Sequence, residues 1–137
     1  MDKRGVWPAC RTWLCKRPVI WYWLPPLAWM AVIFWFSAQP QLPQAPGPFW
    51  DILIKKGAHM AEYAILVVLW WRALSTRVKR FSPLGLAWGL AVLYAISDEY
   101  HQTFVPGRHG RALDVIIDTA GATLAVLILW RMTRSRE

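Results

Sequence analysis

The sequence predicts an all-α integral membrane protein: a four-helix bundle with both termini on the cytosolic side. Of its 137 residues, 56% are hydrophobic and eleven are tryptophan. A soluble domain of this length has too little interior to hide so much apolar surface. The apolar residues fall into four runs, at 19–36, 57–71, 84–105 and 113–130, and most of these lack the helical-period polar face of a soluble helix. The charge is also lopsided. Twelve of the sixteen Lys and Arg precede the first run, separate the second from the third, or follow the fourth, and basic loops stay in the cytosol.

One transmembrane unit is expected at 19–130, between basic tails at 1–18 and 131–137. Lys3, Arg4, Arg11, Lys16 and Arg17 precede the first run. That run exceeds the ~7–15 apolar residues of a signal peptide, so an uncleaved helix is expected. Pro25 and Pro26 predict either a kink near Pro25 or regular structure that begins there. Cys10 and Cys15 lie in the cytosolic tail, where thiols stay reduced, and no nearby histidine completes a zinc site.

The stretch "SAQPQLPQAPGPF" at 37–49 holds four prolines and reads as an external loop. "FWDIL" after it predicts a short amphipathic piece in the interface. The second run has only fifteen residues, with Lys55 and Lys56 free to snorkel at its entrance and Arg72 at its exit. Ser82-Pro83 reads as a helix start with proline at the first helical position. "VPGRHGR" at 105–111 is an external turn. "TAGATLA" at 119–125 gives the fourth helix small residues for close contact. Trp21, Trp23, Trp70, Trp71 and Trp130 are expected at the cytosolic interface, and Trp35, Phe49, Trp50 and Phe104 at the outer one.

A net charge of +8 raises nucleic acid as a partner. The basic residues flank apolar runs and form no aromatic-interleaved groove, so the lipid bilayer is the expected partner and nucleic acid is excluded. The carboxylates carry the functional signal. Alternating helix direction brings the start of the second run, the end of the third and the start of the fourth to one end, the outer one. His59 then lies ~4.5 Å below Lys56, and Glu62 ~9 Å. His59 with Glu62 and Tyr63, Asp98 with Gln102, and Asp114 with Asp118 are neighbours on helix faces. Glu99 points about 100° from Asp98. Ser37 and Gln39 close the first helix on the same side. Ionisable groups at membrane depth face a bundle interior or a hydrated cavity and mark functional sites. A polar pocket open to the outside is therefore expected.

Two functional readings follow, and a network that only locks the helices together is the third. In the first, the pocket binds or shields an envelope lipid, a lipid-linked glycan or a glycopeptide antibiotic. In the second, His59 is a general base oriented by Glu62 or Asp98, a second carboxylate is the acid, with Glu99 also among the catalytic candidates, and Lys56, Gln102 and Arg108 hold an anion. Ser37, Gln39, Tyr63, Asp114, Asp118 and Gly121 form the pocket or its support. No metal is expected and no cofactor is strongly implied, which leaves the cofactor open. A variant of the catalytic reading has His59, Glu62, Asp98 and Asp114 hold a divalent ion, for which oxygen-rich ligation suits a hard cation. The oligomeric state stays open.

The segments "FSAQP" (36–40), "KKGAHMAEYAIL" (55–66), "SDEYHQTFVPGR" (97–108) and "DVIIDTAGA" (114–122) together resemble the VanZ-like family, over about 28–130. The resemblance implies a small helical bacterial protein of the cytoplasmic membrane, from a family named for a member linked to lowered teicoplanin sensitivity. It implies no particular biochemical activity. Asp118 departs from the pattern, which commonly has asparagine four residues after the helix-4 aspartate.

Overall fold

The computed structural model describes residues 20–40, 43, 45–78 and 82–135. The expected basic tail at 1–18, with Cys10 and Cys15, lies outside the described residues, as do Lys79, Arg80 and Arg136. The described residues form four helices and no strand: α1 (Ile20–Ser37), α2 (Pro48–Leu74), α3 (Pro83–Gln102) and α4 (Ala112–Arg134). The four-helix expectation holds. At ~1.5 Å per residue the helices measure ~27, ~40, ~30 and ~35 Å.

α1 starts at Ile20 and continues through Pro25 and Pro26, so regular structure does not wait for Pro25. The carbonyls that lose a helical donor belong to Trp21 and Tyr22, in the first turn, where neighbours and solvent replace it at least cost. α2 is longer than its apolar run. The expected interfacial piece and the second run are one helix of 27 residues. Gly47, at φ 85°, turns the chain, and Pro48 occupies the first turn. Asp51 accepts from Ala45 N at 3.0 Å and from Lys55 Nζ at 2.7 Å. The charges that end the apolar run thus support the helix through an i,i+4 pair. The Lys55 hydrogen bond, then the Ala45 N–H, hold the Asp51 carboxyl below its ordinary range.

α3 begins as expected: Ser82 Oγ accepts from Gly85 N at 3.3 Å, with Pro83 at the start of the helix. It ends at Gln102, short of the apolar run, because the N–H groups of Thr103, Phe104 and Val105 turn back to carbonyls three residues earlier. Gly107 then takes a positive φ of 81°.

α2 is the hub. It packs most closely on α4, then on α3, and α1 leans on α2 with a lighter touch on α3. Gly121 shows how near α4 comes: a Cβ there would overlap the main chain of Met60. Tyr63, Leu66 and Val67 of α2 meet Ala87, Ala91 and Ala95, a stripe of small residues on α3, and Ala122 and Ala125 of α4. Trp70 packs inward rather than onto the exterior. It is buried, and its ring meets Trp23 edge-on at 5.8 Å. Trp21 and Trp130 at one end, and Trp35, Phe49, Trp50 and Phe104 at the other, are exposed.

The exterior is apolar. Leu93 and Ile96 of α3, Leu24 and Phe34 of α1, and Ile116 and Leu124 of α4 all point outward. α1 and α4 are long and apolar enough to cross a membrane, and only 17% and 22% of their apolar windows are buried. The core helix of a soluble protein would be mostly buried. α2 and α3 fall short of the same combination of length and apolar character.

Candidate functional site

The ionisable residues meet at one end of the bundle. α1 and α3 finish there, and α2 and α4 begin there. Arg108 ties the corner: its Nε donates to Gln39 O at 2.9 Å and its Nη2 to Phe36 O at 2.8 Å. Phe36 O belongs to the last turn of α1 and also accepts from Gln39 N at 3.2 Å, and Gln39 O lies just past the helix end. Gln39 adds a bond from its own Nε2 to Trp35 O at 3.0 Å. Lys56 Nζ reaches across to Asp114 Oδ1 at 2.8 Å, joining the starts of α2 and α4.

Beneath this rim lies an acid–base cluster. His59 Nδ1 stands 3.3 Å from Asp118 Oδ1. The two atoms are at ion-pair distance without the alignment of a hydrogen bond, and each remains without a hydrogen-bond partner. Gln102 Nε2 donates to Asp98 Oδ2 and to Glu99 Oε1, both at 3.1 Å. One amide therefore bridges the two adjacent acids. Glu99 Oε2 accepts from Arg111 N at 3.0 Å, at the start of α4. Asp98, Glu99, Gln102 and Asp118 are all buried. Asp98 Oδ1, Ser37 Oγ, Tyr63 OH and both oxygens of Asp118 have no partner.

Two cavities adjoin the cluster. One of about 280 Å³ runs among Ile33, Phe36, Ile54, Glu62 and Asp98. The other, of about 240 Å³, is lined by Lys56, Gln102, His109, Arg111 and Asp114. Lys55, His59 and Arg108 line both.

The structure gathers the candidates at one end, keeps the expected Asp98–Gln102 neighbours in contact at 3.1 Å, and pairs the others across helices. Asp118, on another helix, stands beside His59 where Glu62 or Asp98 was expected to orient it. Lys56 is paired with Asp114. Gln102 donates to carboxylates. Arg108 gives two N–H groups to carbonyls. Asp98 and Glu99 diverge along α3, yet Gln102 reaches both. Gly121 serves close helix contact, as expected. Helical spacing relates residues of one helix only, so none of the pairs between helices was visible to it. Two tethers also escaped notice: Trp29 Nε1 donates to Glu62 O at 2.9 Å, and Tyr94 OH to Met30 O at 2.6 Å. Aromatic composition signals membrane depth and says nothing of such partners. His101, whose ring stacks on Phe34 at 4.5 Å, was likewise unassigned.

An apolar exterior around four helices, with buried acids and a histidine at one end, defines a small helical membrane protein with a polar site. The chain belongs to the VanZ/LLP1 family, whose sequence model matches residues 21–133. No curated protein and no solved structure matched the chain.

Proposed function

We propose that this chain is a multi-pass protein of the bacterial cytoplasmic membrane, with both termini in the cytosol and residues 19–130 as its membrane domain. Its polar pocket opens on the outer half and binds the phosphate-bearing headgroup of an envelope lipid or lipid-linked glycan. The observation that carries this reading is a pair of neighbouring cavities that share Lys55, His59 and Arg108 in their walls. One has apolar walls from Ile33, Phe36 and Ile54, and the other adds the cations Lys56 and Arg111. Lys55 and Arg108 stand between them. Such a site suits an amphiphile with an anionic head. Arg108 keeps three of its five N–H groups after the two carbonyl bonds.

Size favours a lipid over an antibiotic. Volumes of about 280 and 240 Å³ lie just under the ~300–1,000 Å³ of sites that enclose drug-sized ligands. A headgroup and the start of a chain fit; a glycopeptide does not. Turnover of the bound lipid is the second reading, supported by the imidazole and carboxylate of His59 and Asp118 at 3.3 Å. Neither side chain is a nucleophile of the serine or cysteine type.

The test is equilibrium binding of a polyprenyl phosphate and of the matching neutral polyprenol to the protein in nanodiscs. Saturable binding of the phosphate alone is expected. Lys55→Gln lowers its affinity about tenfold, the loss of one hydrogen bond to a charged group. Equal binding of alcohol and phosphate sinks the proposal. A dephosphorylated or transferred product in the same assay decides for turnover.

A further inference from the structure

The acid–base cluster is not balanced by the cations around it. Among the described residues, Lys55 is held by Asp51 and Lys56 by Asp114. Arg108 donates to two main-chain carbonyls. Glu62, Asp98, Glu99 and Asp118 are left with no Lys or Arg at ion-pair distance, and only His59 stands beside one of them. Asp118 is wholly buried with both oxygens lacking a donor, and the facing His59 Nδ1 also lacks a partner. Buried carboxylates are normally fully hydrogen-bonded, paired or bound to metal.

The geometry points to a divalent transition-metal site built by His59 of α2, Glu99 of α3 and Asp118 of α4. One ligand atom from each lies within 4.8 Å of the others. Tetrahedral ligands with bonds of ~2.0–2.2 Å stand ~3.3–3.6 Å apart. The His59–Asp118 pair is already at 3.3 Å, so closing the set takes side-chain shifts on the order of 1 Å. Two carboxylates and a neutral imidazole match a dication in charge. Imidazole with carboxylate and no thiolate suits Zn²⁺ or Mn²⁺ rather than Cu⁺, and an all-oxygen cage for Ca²⁺ is absent among these three ligands. The outer shell is in place as well. Gln102 Nε2 and Arg111 N each bind one oxygen of Glu99 and fix its plane, leaving lone pairs for a metal.

This set shares only His59 with the ion-binding variant of the catalytic reading. Glu62, Asp98 and Asp114 give way to Glu99 and Asp118, because the rotation of α2 against α4 brings Asp118 to the imidazole. Three protein ligands leave a position for water or a ligand atom. The same imidazole that would hold the ion through its buried Nδ1 also belongs to a residue lining both cavities. The inference does not depend on what that pocket binds.

The test uses the full chain without a polyhistidine tag, stripped with a chelator in detergent and titrated with Zn²⁺, Mn²⁺ and Co²⁺. One ion per chain is expected, with a higher unfolding temperature on Zn²⁺ binding and an intense visible absorption with Co²⁺. Asp118→Asn and Glu99→Gln lose the stoichiometric ion, and Gln102→Ala weakens it ~10–100-fold. Asp118→Cys is the guard against misfolding: in the Co²⁺ form it gains a thiolate-to-metal charge-transfer band in the near ultraviolet. Substoichiometric metal on the wild type overturns the site, as does stoichiometric binding that survives both carboxamide variants. Polyprenyl phosphate binding, read separately on the chelated protein, reports on the pocket alone.

Discussion

Tyr94 and Trp29 use their polar ends in the same way: each donates to a main-chain carbonyl of a neighbouring helix. Tyr94 OH reaches Met30 O at 2.6 Å, and Trp29 Nε1 reaches Glu62 O at 2.9 Å. With Arg108 at its C-terminal end, α1 is tied to the other helices by side-chain bonds to carbonyls, which compensates for its lighter packing. A hydrogen bond of this kind contributes about 1 kcal/mol, in water or between membrane helices. Tyr94→Phe is therefore expected to lower stability by about that amount. Reversible unfolding in mixed micelles measures it, and an unchanged midpoint would show the tether to be idle. Arg108 meets a different need. Its planar fork serves two carbonyls at once in a fixed geometry that the rotating ammonium of a lysine does not reproduce.

The four helices differ in what limits their approach. α4 meets α2 across Gly121, where an added Cβ would collide with the backbone of Met60. Backbone cannot move aside as a side chain can, so Gly121→Ala is expected to cost ~1–3 kcal/mol, as overpacking does. Gly89 on α3 has nothing near its would-be Cβ. Gly89→Ala is expected to be neutral or to stabilise by up to ~1 kcal/mol through helix propensity. Thermal unfolding of both variants in one detergent checks the contrast, and equal effects would refute the packing account. The same contact sets the rotation of α2 against α4, and so decides that His59 meets Asp118. At the ends of the elements, Ser82 and Pro83 start α3 as their chemistry requires. α2 starts well before its apolar run because Asp51 and Lys55 pair along it.

For the molecule as a whole, the proposed orientation rests on the basic loops and tails. It predicts the labelling of single cysteines on a background in which Cys10 and Cys15 are replaced by serine. In intact cells, Pro46→Cys reacts with a membrane-impermeant maleimide, and Ser75→Cys reacts only after lysis. Both positions are exposed in the fold. The reverse pattern would put the polar pocket on the cytosolic side and end the reading as an envelope-lipid site.

The sequence alone determined the helical class, the four elements and the gathering of acids and a histidine at one end. Apolar runs, helix-breaking loops and alternating direction are properties of the chain itself and need no knowledge of packing. Tertiary structure decided the partners. Which acid faces His59, what Arg108 and Lys56 are bound to, and that Trp70 turns inward all depend on how one helix is rotated against another. That rotation is set by contacts such as Gly121 against Met60, between residues 61 positions apart, and no periodicity within a single helix encodes it.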